Sequence, residues 1–351
     1  MDGLAVCAWS AITPLGHDVR EAALAYRAGV SGLRECAILD STGEAPTIGS
    51  VPVLAPHLEG TERLLALAEH ALAAIVERLR DAAGRGRIKL FVLLDEDLAA
   101  TETGGRAPAE VVAANLQHLV EQQAGARIPV EFGANGSAGL GAVLERAAEE
   151  LEQRHYEFAL VLATHTDWGL GRIALLSAQE RIYSSENLDR ILLGEAGAGL
   201  LLCSRRFAHS LGQSPPVWLE RPAVTQEKAR FDNDHSAFEA LAMTVAARRA
   251  SDETAGRGER IGWVSSDSSF EIFRTYELQS VLVRLQSRLA PPQVLEQPCQ
   301  RMGFLGAASG AWQVAYAAEL THRGAAPAPS KLCLLGSEDG TRTAFMLHAG
   351  A

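Results

Sequence analysis

Phe132-Gly133-Ala134-Asn135-Gly136-Ser137-Ala138-Gly139-Leu140 is the stretch from which the rest of the chain can be read. It joins an extended run ending at Pro129-Val130 to a helical run from Gly139 to Arg154. Small residues at a strand-to-helix junction let the backbone turn sharply and let another group come close. Such an elbow usually presents a nucleophile at a helix N-terminus, where unpaired N–H groups and the helix dipole favour negative charge. Here the apex falls on Gly136, which has no side chain to present.

Outward from the elbow, apolar runs and helical periodicities alternate. Runs at 4–9, 89–94, 158–163, 196–203, 217–221, 261–264, 332–335 and 343–347 read as strands. Helices are expected at 18–27, 61–82, 108–122, 236–249, 272–289 and 307–320, with Asp18 as an N-cap and Pro108 in a first turn. The segment 34–56 reads as irregular. Alternation of this kind implies α/β layers. The Ser-, Arg-, Gly- and Pro-containing stretch 204–216 reads as a seam, dividing the chain into halves 1–210 and 211–351 within one body.

The chain has 351 residues, 47% hydrophobic, and a formal net charge of −11. Acidity argues against nucleic acid as a partner. No apolar run reaches the roughly 18 residues that a membrane helix needs, and the first residues lack the pattern of a signal peptide; a cytoplasmic location is expected. The five cysteines are scattered, which fits reduced thiols, and Cys7, Cys203 and Cys333 lie in apolar strand-like runs and read as buried core. Neither a cofactor nor a metal is expected: no His, Cys and carboxylate cluster has metal-site spacing, and the Gly-rich segments 194–199 and 303–310 lack the phosphate-loop pattern.

Four further stretches, taken together and in order, resemble the β-ketoacyl synthases of the thiolase superfamily. They are Ala8 to Gly16 (A-W-S-A-I-T-P-L-G), Ala28 to Gly32 (A-G-V-S-G), Leu188 to Ala198 (L-D-R-I-L-L-G-E-A-G-A) and Gly303 to Gly310 (G-F-L-G-A-A-S-G). The resemblance implies a thiolase-like five-layer α-β-α-β-α fold with two pseudo-repeated halves. It also implies a dimer formed by edge strands just before the elbow helix, here 127–131.

Carried over residue by residue, the resemblance also implies a loss. The family's nucleophilic cysteine falls on Gly136. Its first histidine, counted back eleven residues from Glu277, falls on Ser266, and its second on Phe304. Glycine carries no thioester, and phenylalanine moves no proton. The expectation is therefore a degenerate, non-catalytic synthase-like protein that acts as a dimer partner or adaptor. It would pair with itself or with another synthase-like chain. Two settings are conceivable: a chain-length-factor-like subunit, with acyl carrier protein as a further partner, or an accessory role in type VI secretion effector delivery. A second reading, from another class, is an acyl hydrolase or acyltransferase that uses Ser137 as nucleophile with His165 as its base. Against it, Ser137 reads as a helix-starting residue bonded to backbone and His165 as a polar strand-end residue. Asp267 reads as a solvated turn residue, and Glu195 as a buried, hydrogen-bonded carboxylate.

Overall fold

The computed structural model describes residues 3–99, 107–184, 187–229 and 238–350. Among them the strands are β1 (Leu4–Ile12), β2 (Leu33–Glu35), β3 (Thr47–Gly49), β4 (Ile88–Leu94), β5 (Val130–Ala134), β6 (Phe158–Thr166), β7 (Leu193–Ser204), β8 (Val217–Leu219), β9 (Ala223–Gln226), β10 (Ile261–Ser266), β11 (Leu289–Glu296), β12 (Ser330–Gly336) and β13 (Thr341–Ala349). The helices are α1 (Val19–Arg27), α2 (Gly60–Ala73), α3 (Val76–Ala83), α4 (Pro108–Ala124), α5 (Gly139–Glu152), α6 (Leu170–Ala178), α7 (Arg205–Ser210), α8 (Leu241–Ala250), α9 (Asp252–Gly256), α10 (Ile272–Arg284), α11 (Cys299–Met302) and α12 (Ala308–His322).

The main strands run in the order β11-β10-β12-β13-β8-β1-β7-β6-β4-β5. From the outer edges inward, β5-β4-β6-β7-β1 and β11-β10-β12-β13-β8 have the same pattern of directions. In each, the first three strands are parallel and the last two pairings antiparallel. The two sets meet where β8 pairs with both β1 and β13.

Strand alternation then decides which side chains face which layer. On β4 and β6, Leu90, Val92, Leu160 and Leu162 pack outward beneath α2, α3 and α4, while Phe91, Leu93, Val161 and Ala163 face inward. On β12, Leu332 and Leu334 pack outward with α8 and α10, while Cys333 and Leu335 face inward. Between the two inward faces lie α5 and α12. Every residue from Ala308 to Leu320 is buried, as a helix between two sheets must be. The crossing is close: a β-carbon on Gly310 would come within 2.6 Å of Leu140 Cδ2 and 2.7 Å of Leu335 Cδ1. The architecture is thus helix, sheet, helix, sheet, helix.

Several expectations are corrected here. The helix over 61–82 is two helices, because Ile75 leaves helical angles (φ −116°, ψ 8°); both pieces keep their apolar stripe on the same sheet, so periodicity alone hides the break. The segment 34–56 contains β3, which continues the sheet through Gly49 and Gly194. The helix over 272–289 stops at Arg284, and the Pro-Pro pair at 291–292 sits inside edge strand β11, where missing N–H groups are tolerated. The helix over 236–249 begins at Leu241, and the part of that expectation at 236–237 lies outside the described residues. The segment 204–216 contains α7, whose N-cap is Ser204. No helix among the described residues is long and apolar enough to cross a membrane.

Candidate functional site

The elbow forms at the C-terminal end of β5, where β4 also ends. Gly136 takes φ +61°, a left-handed conformation that favours glycine, and its N–H donates to Leu94 O at 3.1 Å. Its missing side chain leaves no gap. A β-carbon there would lie 2.6 Å from both Cδ and Oε1 of Glu96, which follows β4 in the acidic run Asp95-Glu96-Asp97. Burial, then the charges of Asp95 and Glu338, push the Glu96 carboxyl up to about 7, although its Oε1 accepts from the Glu338 N–H at 2.9 Å. A carboxyl group that is part protonated at neutral pH thus stands where the sequence expectation looked for a thiol.

A second elbow meets the first. Gly306, with φ +44°, leads into α12. Its carbonyl accepts from Ser137 Oγ at 2.7 Å, so that hydroxyl bonds backbone across the layer rather than within its own helix. A β-carbon on Gly306 would press on the His165 ring and on Asp95 Oδ1. The start of α5 is satisfied from the far half of the chain. Ala138 N–H donates to Ser337 Oγ at 2.9 Å, Ser337 Oγ donates to Asn135 O at 2.5 Å, and Thr343 Oγ1 donates to Ala138 O at 2.8 Å. The Ala138 donor is therefore not free to hold an oxyanion.

His165, expected as a polar strand-end residue or a base, lies fully buried in β6. Its Nδ1 donates to Asp95 Oδ2 at 2.6 Å and its Nε2 to Asp167 Oδ2 at 3.1 Å. A ring with a carboxylate on each nitrogen must carry both protons. Burial acts to lower the pKa of the imidazole, but the Asp95 and Asp167 charges outweigh it and raise the ring to about 10. Asp167 is buried too, yet His165⁺ and Arg172 hold it well below the usual carboxylate range. Arg172 Nε donates to Asp167 Oδ1 at 3.0 Å, and its Nη1 to Asp97 Oδ2 at 2.7 Å. Asp95 Oδ1 accepts from Ala307 N–H at 2.9 Å, so the charged string also ties down the second elbow. The Phe304 and His165 rings pack edge to face, with centroids 5.4 Å apart.

Ser266, the last residue of β10, is buried, and its Oγ accepts from Ser268 N–H at 3.1 Å. Asp267 is no solvated turn residue: it is 4% exposed, its Oδ1 accepts from Arg274 at 2.8 Å and its Oδ2 from Gly336 N–H at 3.0 Å. The physical reason is the buried Arg274 guanidinium, which needs a counter-charge. Glu195 is buried as expected, with Arg63 on both oxygens at 2.6 and 2.7 Å and Thr166 Oγ1 at 2.8 Å.

Gly136, Ser137, His165 and Phe304 thus come together at the junction of the two elbows. Ser266 reaches the same place only indirectly, through Asp267, Gly336 and Ser337. Beside Phe304 a cleft of about 20 Å³ is lined by Arg181, Glu271, Arg274, Ser337 and Glu338. A site for an acyl group would need on the order of 300 Å³. Sequence reasoning missed Glu96, Asp95 and Asp167. Three successive acids directly after an apolar strand, and a His-x-Asp at the end of another, were the available signals. Among the described residues no group of three or more His, Cys, Asp or Glu is arranged to hold a metal ion.

No family model and no curated protein matches the sequence. Solved structures do match the fold. One contains a type II PKS acyl-carrier protein in complex with its ketosynthase bound to the hexaketide (AntDE:AntF). It aligns over 100% of both chains with a TM-score of 0.80 and 14% identity. A β-ketoacyl synthase from Burkholderia phymatum aligns over 100% of both chains, with a TM-score of 0.75 and 14% identity. A ketosynthase in complex with its chain length factor (ApeO and ApeC) from Xenorhabdus doucetiae aligns over 99% of this chain and 98% of that one, with a TM-score of 0.72 and 15% identity.

Proposed function

We propose that this chain, which has the thiolase-like fold of the ketosynthases and chain length factors, is a non-catalytic synthase-like subunit. Built from the halves 1–210 and 211–351, it works by pairing with a second synthase-like chain. The observation that carries the proposal is the filled elbow: Glu96 stands against Gly136, where condensation would need a thiolate. A carboxylate there would repel a thiolate, a malonyl carboxylate and an enolate alike. The imidazole nearest the junction adds to the argument. His165 is locked as a cation between two aspartates and has no lone pair with which to accept a proton.

Pairing would use β5, the last strand of its side of the sheet, whose outer edge has no partner strand among the described residues. Phe132 is 43% exposed on that strand, and an open apolar edge is the kind of surface that strand addition covers. The likeness to solved synthases in complex with chain length factors and with an acyl-carrier protein supports a synthase-type partner. Whether the pair serves carbon-chain assembly or effector delivery is what identification of the partner decides. The serine-enzyme reading has no observation in its favour, since Ser137 Oγ donates to a carbonyl and both His165 nitrogens are taken up by carboxylates.

The test has two parts. Incubation with acyl and malonyl thioesters should give no adduct and no turnover. Sedimentation should show a dimer, alone or with the co-purified partner, that Phe132→Asp dissociates. Condensation by the unmodified chain, or an unchanged dimer in the variant, would defeat the proposal.

A further inference from the structure

The pairing of β1 with β7 breaks register once. Val6 opposes Leu202 and Ala8 opposes Leu201, leaving Cys7 as an extra residue in β1. A bulge re-aims a side chain, and here Cys7 and Ala8 both pack on the outer face, the face that carries Cys203. The Cys7 and Cys203 Sγ atoms lie 3.2 Å apart. The two thiols differ in access. Cys203 is fully buried, whereas Cys7 is half-buried and opens on a cleft of about 540 Å³ with Trp9, Ile75, Arg78, Arg85 and Gln213 in its walls. Asp81 and the Arg323–Glu319 pair also line the cleft. The expectation of core burial is thus corrected for Cys7: the bulge brings it to a cleft wall. Cys36, Cys299 and Cys333 are buried.

We propose that Cys7 and Cys203 form a thiol–disulfide exchange site whose substrate is a low-molecular-weight disulfide entering by this cleft. The Cys7 thiolate attacks one sulfur of the incoming disulfide. An S–S bond forms between them, and the other half leaves as a thiolate that takes up a proton. Cys203 then gives up its proton and attacks the Cys7 sulfur, closing the Cys7–Cys203 bond and releasing the second small thiol. The protein dithiol is oxidised by two electrons, and one small disulfide is reduced to two thiols. The order of attack follows from access and from the hydrogen bond between the sulfurs, which lowers the Cys7 pKa, while the same contact and burial raise that of Cys203. Arg78 and Arg85 in the cleft walls suit an anionic disulfide such as that of glutathione.

Glutathione disulfide is the probe, applied to the folded full chain and followed by mass spectrometry of the intact protein and its peptides. The expected result is loss of two hydrogens, a Cys7–Cys203 cross-linked peptide, and reversal by dithiothreitol. Cys203→Ser should instead stop at a mixed disulfide, gaining one glutathionyl group on Cys7. Cys7→Ser should abolish both products. Oxidation that is unchanged in Cys7→Ser, or a wild-type protein that forms no cross-link while Cys7 is alkylated by iodoacetamide, would overturn the proposal.

Discussion

The carboxyl group of Glu96 occupies the space that a side chain at Gly136 would need. The two residues lie forty positions apart and meet because β4 and β5 are parallel neighbours that end together, Leu94 beside Ala134. The first prediction is that Gly136→Cys gives no condensing activity. It should also cost about 2–4 kcal/mol of stability, from a left-handed φ and an overfilled site. Adding Glu96→Ala should recover part of that loss, measured as coupling in a double-mutant cycle of denaturant melts. Additive losses would mean that the two side chains do not compete for one space.

Glu96 also sets a pH dependence. Its folded pKa of about 7 lies above the ordinary 4.5. The folded state therefore holds a proton that the unfolded chain releases, and stability falls as pH rises from about 4.5 through 7. Glu96→Gln should flatten that part of the stability curve. An unchanged slope in the variant would show that the carboxyl is already ionised across the range.

His165 should behave as a fixed cation. With its ring raised to about 10 from 6.5, its contribution to stability is complete below pH 6.5 and is lost as pH rises through about 10. Its ring resonances should not titrate between about pH 6 and 8 in an NMR experiment. His165→Ala leaves Asp95 and Asp167 facing each other and should destabilise the fold by about 3–5 kcal/mol.

Ser137→Ala should leave acyl hydrolysis at background level, because the wild-type hydroxyl donates its proton to the Gly306 carbonyl. Loss of that bond should cost about 1 kcal/mol. An acyl adduct on wild-type Ser137, found by peptide mass mapping, would instead revive the serine-enzyme reading.

Much of the layering could be read from the sequence because it is written in period. The runs at 89–94 and 158–163 are apolar on both faces because helices cover both faces of those strands. The glycines of the elbow marked its place. What the sequence hid is contact across distance. Nothing local in Asp95-Glu96-Asp97 says that one acid will fill the elbow, a second will clamp a histidine and a third will pair with Arg172. Asp267 misled for a related reason: a run of serines looks wet until an arginine seven residues on folds back over it. Strand β11 was lost behind two prolines, which in an interior strand would have argued against it with reason.

The short strand Val217–Leu219 is hydrogen-bonded on one side to the first strand of the chain and on the other to the last. Severing the polypeptide at exposed Ser214, just upstream, would therefore not yield two independent modules. The fragments would remain a single cooperative unit, knit by a shared ladder, and neither should refold by itself.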